Sequence, residues 1–198
     1  MIKRNIKKYI AILMIFCGLI LNIHNYYVNY HKEISEKESI EVFFEKEENK
    51  NEEIKTLKEN KEIINYIAIL EIPRINLKKG LVDPNSSLND VSQNIEILNP
   101  VSMPDKENST FILASHSGNA NISYFNRLDE LDIGDDVYVY YKNIKYTYKI
   151  TEYYQVDKTG TINLKTNDKD KQIVLTSCNR PNTRQLVYIG TLKDEKSY

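Results

Sequence analysis

The sequence predicts an all-β domain, a barrel or a sandwich, behind an N-terminal transmembrane helix and a charged stalk. Three observations carry this. The first thirty residues run from basic to apolar to aromatic, unlike the rest of the chain. A stretch rich in Glu and Lys, without Pro or Gly, follows over residues 32–62. From about residue 64, short apolar or alternating runs recur between turn signals, with only brief helical patterns among them.

Length and charge narrow the class. A chain of 198 residues holds one ordinary domain and a tail. The net charge is −1, and no basic stripe alternates with aromatics, so nucleic acid is not an expected partner.

Residues 1–8 form the basic tail, with Lys3, Arg4, Lys7 and Lys8. Residues 9–27 are the expected anchor: an apolar run to Ile23, then Tyr26 and Tyr27 where an aromatic belt would lie. A full span needs about 20 apolar residues, and flanking Tyr and snorkelling Lys extend a short run. A cleaved signal peptide has the same basic and apolar order. No small-x-small cleavage site follows Ile23, which favours an uncleaved anchor. The positive-inside tendency then keeps the N-terminus cytoplasmic and puts the remainder outside the cell, a single-pass arrangement.

Residues 28–63 read as a solvated stalk, part helix and part disordered. At helical spacing Glu33 and Lys37 attract, whereas Glu41 and Glu45 repel.

Residues 64–198 carry the domain. Tyr66 to Ile72 is a strand closed by Pro73, and Ile75 to Leu77 alternates toward Gly80. Residues 83–87 are turn-rich, and 88–98 have room for a short helix. Ser109 to His116 reads as a buried strand. Ile122, Phe125, Leu128 and Leu131 are spaced as on a helix. A hairpin is expected around Lys142-Asn143, joining strands 137–141 and 145–154. Strands 172–178 and 185–189 complete the set.

Two cysteines are present, Cys17 and Cys178. With Cys17 in a membrane, Cys178 is a lone thiol outside the cell. Such a thiol is reactive, bridges to another chain, or is a small buried hydrophobe. Of the three histidines, His24 and His31 lie beside the anchor, so His116 is the only one in the domain. One Cys and one His make too few ligands for a metal site, and no cofactor is expected. A redox dithiol would need a second nearby Cys.

A Cys and a His at strand ends permit thiol catalysis. The thiolate is the nucleophile, and a free thiol titrates at about 8.5, so a neighbouring base or cation is needed at neutral pH. A histidine can pair with the thiolate and then protonate a leaving amine. The resulting oxyanion needs a cation or N–H groups. Arg74, Arg127, Arg180 and Arg184 are the domain's arginines, and two of them follow Cys178 closely.

The residues resemble those of the sortases. Ala114-Ser115-His116-Ser117-Gly118, then Val174-Leu175-Thr176-Ser177-Cys178, then an Arg opening the next strand, occur in the family's order. Tyr66 to Pro73, Phe125-Asn126-Arg127-Leu128 and Gly134-Asp135 extend the similarity over about residues 64–194. The resemblance implies an eight-stranded β-barrel. It implies a cysteine transpeptidase that cuts an LPXTG-like C-terminal sorting signal of a surface protein through a thioacyl intermediate. The acyl group then passes to an amine of a cell-wall precursor or a pilin subunit. It makes Cys178 the nucleophile, His116 the acid and base, and Arg184 the residue that steadies the oxyanion or holds the substrate backbone.

The family pattern T-L-x-T-C is V-L-T-S-C here, which bears on groove shape and removes no proposed catalytic group. A short loop after Cys178 and the lack of an evident lid segment before residue 64 favour a simple anchoring enzyme over a lidded pilin polymerase. Some sortases bind calcium, but Asp129, Glu130, Asp132, Asp135 and Asp136 read first as a solvated loop and turn. A peptidase resolved by water and a non-catalytic domain that binds surface proteins are the competing expectations.

Overall fold

The computed structural model describes residues 2–48, 63–100, 102–159, 161–165, 169–179 and 183–198, with side chains of the first helix from residue 8 to 46. Arg180, the later part of the stalk and the side chains of Lys3, Arg4 and Lys7 lie outside the described residues.

One helix, α1 (Ile2–Glu48), covers the apolar run and much of the charged stretch. At 1.5 Å per residue its 47 residues extend about 70 Å. It is long and apolar enough to cross a membrane. The apolar side chains from Ile10 to Ile23 stand more than half exposed, so the protein itself does not cover them.

The domain is one eight-stranded sheet curled into a nearly closed barrel. Its strands are β1 (Ala68–Ile72), β2 (Leu77–Leu81), β3 (Glu96–Ile97), β4 (Thr110–Ala114), β5 (Asp136–Tyr141), β6 (Ile144–Asp157), β7 (Gln172–Cys178) and β8 (Arg184–Ser197). The order is β2-β1-β5-β6-β8-β7-β4-β3. Only β4 and β7 run parallel. The sheet's two outer strands approach where the buried Asn94, just before β3, donates to the Gly80 carbonyl of β2 at 3.3 Å. Inside, Leu70, Ile72, Phe111, Leu113, Val137, Val139, Tyr148, Ile173 and Leu175 form the main core.

The hairpin at Lys142-Asn143 forms as expected. Both residues have positive φ, 52° and 60°. That backbone matches the twist of the flanking strands.

The two short helices expected in the domain take other forms. Residues 88–98 fold as turns ending in β3. Asn89 accepts from the Ile97 N–H at 2.8 Å and donates to the Pro84 and Ile97 carbonyls. Asp90 accepts from the Ser92 N–H at 2.7 Å. These side chains satisfy the backbone groups a helix would have used. Between residues 121 and 131 the only helix is a 3₁₀ turn at Leu128–Glu130. The apolar residues there recur every three positions, which suits three residues per turn.

The stalk also departs from expectation. Between residues 36 and 44, α1 is packed on the barrel rather than solvated. Glu36 accepts from Lys79 Nζ, from the Tyr66 hydroxyl and from the Gly80 N–H, the last at 3.1 Å. Phe43 joins Tyr66, Ile69 and Val82 in a second apolar cluster. Tyr66 lies so close over Gly80 that a Cβ at residue 80 would sit 2.1 Å from its ring. Burial and the Glu36 charge push the Tyr66 hydroxyl far above its ordinary range.

Candidate active site

Cys178 is the last residue of β7, and His116 lies two residues past the end of β4. These strands are parallel neighbours, and Ala114 is the register partner of Thr176. Continuing that register by two residues sets His116 beside Cys178. The continuation is held beyond the last strand pair. The Ser115 N–H donates to the Thr176 carbonyl at 3.3 Å. The buried Ser177 hydroxyl donates to the Ser115 carbonyl at 2.7 Å. The Phe125 N–H donates to the His116 carbonyl at 3.1 Å, which ties the next loop to the histidine.

Both residues line one cavity of about 790 Å³, with Ala114, Thr176, Gln185 and Lys158 among its walls. Cys178 is partly buried, and His116 is exposed. A thiol and an imidazole therefore share one open cleft, an arrangement that suits acyl chemistry on a peptide entering from solvent.

Arg184 is placed differently. It is the register partner of Asp157 on β6, and its Nε lies 3.4 Å from that carboxylate. It does not line the cavity. The register partner of Cys178 is Gln185. Asn179 fixes this end of the ladder: its N–H donates to the Arg184 carbonyl at 2.8 Å, and its Oδ1 accepts from the N–H groups of Thr183 and Arg184.

Two residues of the site have no individual signal in the sequence. Gln185 and Thr176 could be found only by counting strand alternation back and across from Cys178. Asp90, in the distant turn segment next to Val91 of the cavity wall, is a neighbour of the site. Hydrogen bonds from Ser92 chiefly hold its carboxyl below the usual carboxylate range, and the nearby His116 adds a smaller pull.

Four of the five acidic loop residues are met by cations. Arg74 lies 3.4 Å from Asp132 and 3.8 Å from Asp135, Arg127 pairs with Glu130 at 2.6 Å, and Lys149 pairs with Asp136 at 2.8 Å.

The family model described as a sortase domain matches residues 70–192, and the chain belongs to the sortase family. Sortase D of Bacillus subtilis (strain 168) is 28% identical over 111 residues, 56% of this chain and 53% of that protein. The chain thus spans about half the length of the curated relative it matches. Among solved structures, a Clostridium perfringens sortase D5 transpeptidase is 26% identical with a TM-score of 0.61, over 81% of this chain and 99% of that one. Sortase C of Streptococcus pneumoniae shares the fold at 19% identity and a TM-score of 0.58, over 67% of this chain and 70% of that one. Sortase A of Listeria monocytogenes does so at 20% and 0.56, over 67% and 90%.

Proposed function

We propose that the protein is a membrane-anchored cysteine transpeptidase that joins surface proteins to an amine at the cell surface. The observation that carries this reading is the meeting of Cys178 and His116 in one cleft at the ends of adjacent parallel strands. Membership of the sortase family supports the same chemistry.

In this reading the Cys178 thiolate attacks the scissile carbonyl of an LPXTG-like sorting signal. The carbonyl carbon gains a bond to sulfur and its oxygen becomes an oxyanion. The C–N bond then breaks, and His116 gives a proton to the departing amine. An acceptor amine attacks the thioester, His116 takes its proton, and the C–S bond breaks. Arg184 is the cation for the oxyanion. To serve, it leaves Asp157 and folds over the start of β8. Both partners are at least half exposed, and such pairs hold weakly.

The anchor reading rests on the exposed apolar face of α1 and the basic residues before it. The catalytic domain is then extracellular. Asn29, six residues beyond Ile23 and so about 9 Å further along the helix, is hydrogen-bonded to Asn121 in the loop beside the cavity. A cleft at that height suits an acceptor carried at the membrane surface, such as a cell-wall precursor.

The test uses full-length protein in micelles with a sorting-signal peptide, with and without triglycine. A thioester adduct on Cys178, resolved to a new amide only with triglycine, is expected. Hydrolysis alone in the presence of the amine would make the protein a peptidase. No adduct with any signal peptide, together with a Cys178 that resists alkylation, would leave a binding domain.

A further inference from the structure

Gln185 is the side chain set opposite Cys178 across the β7–β8 ladder. Opposed residues of an antiparallel pair project to one face, with Cβ atoms about 4.5–5.5 Å apart. The amide of Gln185 is also fixed in sense. Its Nε2 donates to Thr176 Oγ1 at 3.0 Å. That hydroxyl donates its only proton to the Leu186 carbonyl, at 2.8 Å. A carbonyl can only accept, so Thr176 Oγ1 must accept from Gln185, and the amide cannot be turned round. Oε1 is left as an acceptor, and no donor among the described residues is bonded to it.

Gln185 and Thr176 line two cavities at once. One is the cleft of Cys178 and His116. The other, of about 310 Å³, is walled by Leu98, Ile112, Ile162 and Leu164. A peptide with an apolar side chain in the second cavity and its scissile bond at the thiol must cross Gln185. An extended peptide there presents main-chain N–H groups withdrawn from water. Each costs free energy unless an acceptor meets it.

We propose that Gln185 is a substrate-binding residue whose Oε1 accepts a main-chain N–H just before the scissile carbonyl, setting that carbon over Cys178 Sγ. The proposal rests on the transpeptidase reading of Cys178. It divides the work: Arg184 meets the charge that develops, and Gln185 positions the ground state.

The experiment pairs a protein variant with a substrate variant. Full-length protein and Gln185→Met are assayed with the signal peptide and triglycine. Two ester analogues follow, each replacing by oxygen one of the two main-chain N–H groups that precede the scissile carbonyl. In the native protein one ester should lose about tenfold in kcat/KM, the net value of one hydrogen bond. Gln185→Met should show a similar loss, chiefly in KM, and the same ester should cost it little more. Cys178 should be alkylated at the native rate in that variant.

The proposal is overturned if neither ester slows the native protein, a measurement independent of whether Gln185→Met folds. It is overturned equally if the ester loss is undiminished in Gln185→Met. If Cys178→Ala still makes the amide, the reading of Cys178 as the nucleophile falls first. If Cys178→Ala is dead and the esters and Gln185 are uncoupled, only the role of Gln185 falls.

Discussion

Arg184 and Asp157 face each other across the β6–β8 ladder, with 3.4 Å between Nε and Oδ1. Their contact draws the guanidinium to the face of β8 opposite Gln185 and Cys178. Arg184→Lys keeps a charge but loses the fork, so a drop in turnover of about 100-fold is expected. Asp157→Asn should raise turnover, because it releases the guanidinium. Steady-state rates of amide formation check both, and a near-normal rate for Arg184→Lys would end its assigned role.

Cys178→Ala should abolish the thioester adduct and the amide product while leaving the melting temperature unchanged, since the residue is only partly buried. His116→Ala should be nearly as severe, because groups that act as a unit fail together. Mass spectrometry of the acyl adduct and a thermal melt read both effects. Residual transpeptidation by Cys178→Ala would rule out the thiol as nucleophile.

Glu36→Ala should destabilise the protein by about 3 kcal/mol, because it strands the buried Lys79 and removes the acceptor of Tyr66 and the Gly80 N–H. Deleting residues 1–62 should likewise lower the melting temperature relative to a chain that begins at residue 33, which keeps Phe43 on its cluster. Thermal denaturation of the soluble forms decides this. Equal melting temperatures would show that the helix adds nothing to the barrel.

The barrel should unfold in alkali over a defined window. Burial is the main cause that pushes Tyr146 and Tyr188 each up to about 12. An unfolded tyrosine titrates near 10. With the folded value the higher one, the contribution is complete below about pH 10 and is lost as pH rises toward about 12. Phenolate absorbance and far-ultraviolet dichroism, followed together, should change over that window.

Much of this molecule is legible in the chain itself. Alternation and turn residues mark most of the barrel strands because a half-buried strand must repeat every two residues. The lone Cys178 and the lone domain histidine, His116, stand out because each ends a buried apolar run. Other features are hidden for physical reasons. The last strand runs on to Ser197 through Asp194, Glu195 and Lys196, which are strand only because β6 pairs with them. The charged helix gives no sign of its docking, since Glu36 finds Lys79 43 residues away.

The sequence by itself determined the class of fold, the apolar helix ahead of it and the lone thiol and lone domain imidazole that mark the candidate site. The tertiary structure decided which neighbour shares the face of Cys178. Arg184 and Gln185 are adjacent in the chain, and a strand sends adjacent side chains to opposite faces. The register of β8 against β7 and β6 therefore selects between them, and a slip of one residue would exchange their faces. That register is set by pairing across the whole ladder, which no local run of residues encodes.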